Sequence, residues 1–149
     1  MNEMTDDEWR NSTDPILLMD ELIRSKNPEH LNVRKWRLFL VSVCMRHSSY
    51  FDDFLNRLFH TYRSDDEPAS NEYERRIRDY TLGKELSDEP TVSLYYCAWW
   101  LIEMNESNFD STVLTVCQRC ASFSDANQEF KIQCDLLRQV FAYPYLNHK

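Results

Sequence analysis

Cys117-Gln118-Arg119-Cys120 places two soft metal ligands three residues apart. With Cys134 and His148 the pair could offer three thiolates and an imidazole, a donor set that holds structural zinc. The flanking residues favour a different role. Val113-Leu114-Thr115-Val116 and Ala121 continue a helix through the pair, and no glycine provides the tight turn of a zinc knuckle. On a helix, positions i and i+3 share a face, and cysteine there packs as a small apolar residue. A redox pair of the thioredoxin kind follows a strand at a helix N-terminus, where the dipole lowers the thiol pKa. This pair sits inside a helical run instead.

The other chemically able residues are scattered. His30, His47 and His60 could be ligands or bases, but none has a second histidine three or four residues away. Solvated or capping roles fit them better. The acid pairs Asp6-Asp7, Asp52-Asp53 and Asp65-Asp66 suggest acid–base work, yet adjacent helical residues diverge by about 100°. They read as helix starts and loops, where acids collect. No serine stands in a Gly-x-Ser-x-Gly elbow. The single glycine, Gly83, excludes the usual phosphate-cradling loops. No catalytic residue and no cofactor is expected from this set.

Two further groups stand out. Tyr95, Tyr96, Trp99 and Trp100 form i, i+4 pairs on adjoining helix faces. They are core, or a partner surface if one face is exposed, since such rings dominate protein–protein hot spots. Arg34, Lys35, Arg37 and Arg46 lie along a largely apolar helix and cannot all be buried unpaired. Glu8, Asp14 and Asp135 are expected partners, and Asp135 can also pair with Arg138 at i, i+3. Such charges would lock the N-terminal arm and the last helix onto the central one.

The elements that must position these residues are helices. Thr5-Asp6-Asp7-Glu8 fits a capping box, and Asp14-Pro15 fits a second helix start that runs until Asn27-Pro28. Residues 29–46 read as a helix apolar on nearly all sides, which belongs at the centre of a bundle. After a Ser48 or Ser49 cap, Phe51, Phe54, Leu55, Leu58, Phe59 and Tyr62 keep an unbroken helical stripe. A charged helix from about residue 70 to Gly83 follows, then an apolar one over 91–106. Asp110 caps 111–123, and Ser124 or Asp125 caps a last helix that ends near Phe141, before Pro144. The expectation is one all-α domain over 1–149, a multi-helix bundle of about seven helices, with an N-terminal arm over 1–13.

Composition limits the rest. The 149 residues carry a net charge of -8. Nucleic-acid binders show a basic face, and the one basic cluster here is short. No apolar run approaches the ~20 residues of a membrane helix. The acidic start lacks the features of a signal peptide, so a cytoplasmic location is the default. Five cysteines, an odd number, point to free thiols.

Three blocks of residues carry a family resemblance. Glu8-Trp9 with Thr13-Asp14-Pro15, then Arg34-Lys35-Trp36-Arg37-Leu38-Phe39 with Cys44 and Arg46, then Leu136-Leu137-Arg138 with Phe141 and Pro144-Tyr145 resemble three blocks of a large group of planctomycete proteins. The second block is usually richer in cysteine. Ala142-Tyr143 stands where glycine-asparagine is usual. Residues 50–125 resemble the group only loosely, and many members continue beyond Pro144, which implies that a C-terminal segment is absent here. The resemblance implies a bacterial helical protein and brings no catalytic residues, because the group has no established chemistry. The reading that follows is a non-enzymatic helical module acting through an unknown protein partner. A Cys/His metal protein is the alternative, and a nucleic-acid adaptor ranks third.

Overall fold

Polar side chains close the first turns of most helices in the computed structural model, which describes residues 3–64, 70–85 and 89–144. The helices are α1 (Asp6–Asn11), α2 (Pro15–Arg24), α3 (Val33–Met45), α4 (Asp53–Arg63), α5 (Ser70–Thr81), α6 (Pro90–Glu103), α7 (Phe109–Ser122) and α8 (Ala126–Val140). The fold is all-α, with eight helices and no strand among the described residues. The Asp65-Asp66 pair, Tyr145 and His148 lie outside those residues.

The capping box of α1 is complete: Thr5 Oγ1 accepts from the Glu8 amide at 3.1 Å, and Glu8 Oε1 accepts from the Thr5 amide at 2.9 Å. Asp14 caps α2 through the Ile16 amide at 2.9 Å. The helix expected over 29–46 is divided. Pro28–Leu31 forms a 3-10 turn, and Asn32 caps α3 by accepting from the Arg34 amide at 2.9 Å. The preceding helix stops at Arg24, before Asn27-Pro28. The Ser25 hydroxyl donates to the Leu22 carbonyl at 2.7 Å and Lys26 turns left-handed with φ 56°. Asp52, not a serine, caps α4 through the Leu55 amide at 2.9 Å, because Ser48–Tyr50 forms another 3-10 turn. Gly83 has φ 76° just after α5, where only glycine is free of steric cost.

The apolar α3 lies at the centre and packs against α4, α6, α7 and α8. Its Trp36 is fully buried. The Trp36 ring lies 4.4 Å from the Phe141 ring at the end of α8, and its Nε1 donates to the His30 carbonyl at 2.8 Å. One contiguous core links Trp9 of α1, through α3, to Phe141.

The N-terminal arm is tied down from α8. Arg138 Nε donates to the Trp9 carbonyl at 2.8 Å, its Nη2 donates to the Ser12 carbonyl, and its Nη1 pairs with Asp135 at 3.1 Å. The Tyr143 hydroxyl donates to the Met4 carbonyl at 2.6 Å. Removing the guanidinium leaves two carbonyls that lose charge-assisted bonds, each worth about 1.5–3 kcal/mol. Arg138→Ala should therefore destabilise the protein by roughly 2 kcal/mol and speed hydrogen exchange in α1 more than elsewhere. Unchanged exchange in α1 would remove Arg138 from this role.

Candidate metal centre

Three thiols from three helices converge in the core. Cys44 sits in the last turn of α3, Cys97 in the middle of α6 and Cys120 near the end of α7. These helices pack pairwise on one another, and all three side chains are fully buried. Their Sγ atoms lie within 4.8 Å of one another. A planar three-sulfur site with bonds of about 2.3 Å needs S···S edges of about 4.0 Å. A contraction of under about 1 Å completes a planar site, and one of up to about 1.5 Å closes the shorter edges of a pyramidal one, both within reach of thiol rotamers.

Helical spacing explains the burial. Leu40 precedes Cys44 by one turn, Leu94 and Leu101 flank Cys97, and Val116 precedes Cys120, all fully buried. Interaction with Cys120 and Cys97, then burial, holds the Cys44 thiol well above its usual range. At Cys120 the bond with Cys44 pulls down, while the bond with Cys97 and burial prevail upward. Burial also opposes charge at Cys97, but the bonds from Cys120 and Cys44 and the nearby Arg119 turn its shift downward.

The expected ligand set is regrouped. Cys120 belongs to the trio, but Cys117 and Cys134 are buried outside it. Burial raises both thiols, that of Cys134 to about 12. Cys44 and Cys97 take their places. Sequence spacing could not signal this set, because each of its three members comes from a different helix.

A polar cluster lies beside the trio, around the buried Glu129 of α8. Arg46 Nη1 donates to Glu129 Oε1 at 2.5 Å, and His47 Nε2 donates to the same oxygen at 3.1 Å. Gln133 Nε2 donates to Glu129 Oε2 at 2.8 Å and to the Cys117 carbonyl at 3.0 Å. Burial pushes the Glu129 carboxyl up, but the bonds from His47, Gln133 and Arg46 outweigh it and hold it below the usual range. Glu129 was not singled out from the sequence; an acid in the first turn of α8 looks like a dipole partner.

The remaining candidates disperse. The guanidinium of Arg37 lies 5.8 Å from the Tyr62 ring centre on α4. Asp14 caps α2, and Asp135 meets Arg138. His30 is buried beside Ser25 Oγ, 3.3 Å from its Nδ1, while His60 is exposed. The Tyr95 ring is buried and stacks on Tyr80 at 3.6 Å, and its hydroxyl donates to Asp52. The Tyr96 hydroxyl donates to the Lys84 carbonyl at 3.0 Å. Trp99 and Trp100 are half-buried, and Arg78 lies over Trp99 at 5.8 Å. No helix among the described residues is long and apolar enough to cross a membrane. No family model, curated protein or solved structure matches the chain.

Proposed function

We propose that the chain is a non-catalytic helical protein whose core holds one soft, thiophilic ion between Cys44, Cys97 and Cys120. The convergence of three buried Sγ atoms within 4.8 Å carries the reading. Thiolates select soft ions, and rigid helices present them with little rearrangement. Five free, buried cysteines fit a reducing compartment such as the cytoplasm. Membership of the planctomycete group is part of the proposal and rests on the three sequence blocks alone, which the fold brings into contact. Trp36 meets Phe141, and Arg138 binds the Trp9 carbonyl. A protein-contact role would rest on the Tyr96, Trp99 and Trp100 side of α6, but those rings are half-buried and offer less to a partner.

The test is ion retention. Reduced protein is exposed without oxygen to Zn(II), Cu(I) and arsenite in turn, desalted and assayed for each element. The wild type should keep one ion per chain. Cys97→Ala and Cys120→Ala should lose it, while Cys134→Ala keeps it. Circular dichroism shows that each variant is folded. Retention of no ion, or equal loss in Cys134→Ala, overturns the reading.

A further inference from the structure

Coordination number and charge narrow the choice of ion. We propose that the trio is a site for a trivalent metalloid, arsenic(III) or antimony(III), taken up as its neutral trihydroxide; this rests on Cys44, Cys97 and Cys120 being the ligands. Among the described residues the cluster contains three donors and no fourth cysteine, histidine or acid. Zinc in structural sites takes four ligands, so here it would need water in a core where the three thiols are fully buried. Zinc with three thiolates keeps one negative charge, and monovalent copper keeps two. An unpaired buried charge is costly. Arg119, whose charge reaches Cys97, is half-buried and donates to Ser122 Oγ at 3.3 Å.

A trivalent metalloid meets both conditions. Three sulfurs complete its pyramidal shell, its lone pair occupies the fourth direction, and the product has no net charge. The exchange balances without an oxidant or reductant. Three As–O bonds break and three As–S bonds form. Each thiol proton leaves with a hydroxide as water, a thiolate at Cys97 drawing its third proton from solvent, and arsenic stays at +3. The incoming species is small and uncharged, so it crosses the apolar shell around Cys44, Cys97 and Cys120 at less cost than a bare cation.

Proton counting separates this inference from the broader one. Titration calorimetry in buffers of different ionisation enthalpy gives the protons released per ion bound. Arsenite should bind wild type with none released, displace zinc, and raise the melting temperature by mass action. Zinc should release at least two. Intact-mass analysis should show one arsenic gained and three hydrogens lost. Cys97→Ala should bind arsenite roughly tenfold more weakly or worse, and the wild-type melting shift keeps the test valid if that variant folds poorly. Zinc or copper bound at the trio without arsenite overturns this inference and leaves the soft-ion reading intact. An arsenic adduct mapped to Cys117 or Cys134 also overturns it. Failure of all three ions removes both.

Discussion

Glu129→Ala should lower the stability of the protein by about 3 kcal/mol, the cost of breaking a buried ion pair from one side. For a chain of this length that corresponds to a fall in melting temperature of roughly 6–12 °C. The substitution strands three donors at once. Arg46 can turn to water, since its side chain is 30% exposed. His47 Nε2 is buried and cannot, and Gln133 Nε2 keeps only the Cys117 carbonyl. Leaving a buried donor unmade costs its desolvation, about 1–3 kcal/mol. A loss below about 1 kcal/mol would mean that the cluster relaxes or is hydrated.

The same residue sets part of the acid response. The folded pKa of Glu129 lies below the ordinary carboxyl value of 4.5. Its contribution is therefore complete above that value and lost as pH falls through the folded pKa. His30 acts in the same direction. Burial, and then the Lys35 charge, lower its pKa from 6.5, so the unfolded chain binds the proton more tightly. Stability should start to fall below about pH 6.5 and fall further below about 4.5. Denaturation curves across this range should show the gap between wild type and Glu129→Ala closing at the acid end. A constant gap would assign the loss to packing.

Trp36→Ala should have the other large effect, about 3–5 kcal/mol, the usual range for deleting a buried tryptophan. The ring meets Phe39 and Phe109, at centroid distances of 6.1 and 6.0 Å, as well as Phe141. Its deletion opens a cavity where α3, α7 and the end of α8 join, and it leaves the His30 carbonyl without the indole donor. Trp36→Phe keeps most of the volume and should cost clearly less. Equal losses in urea titrations would show that the hydrogen bond, not ring packing, dominates this position.

The helices were legible where periodicity was strong. Phe54, Leu55, Leu58, Phe59 and Tyr62 of α4 are all buried, as their spacing requires. Short-range competition blurred the ends. The Pro28–Leu31 turn and the Asn32 cap divide a segment whose apolar residues look continuous. The Arg138–Asp135 pair was legible because it is local. Arg46 was visible as a charge needing a partner, but that partner is Glu129, a whole fold away in sequence. The thiol trio was illegible for a related reason. Cys44 and Cys97 each sit alone in an apolar stretch, where cysteine looks like any small core residue. Only the relative rotation of α3, α6 and α7 turns three such residues toward one point.

X-ray absorption at the arsenic edge of arsenite-loaded wild-type protein reads that point directly. The account predicts a first shell of three sulfurs and no oxygen, with no arsenic retained in Cys97→Ala and the shell unchanged in Cys134→Ala. A shell containing oxygen, or one that loses a sulfur in Cys134→Ala, would contradict the assignment of Cys44, Cys97 and Cys120 as the ligands.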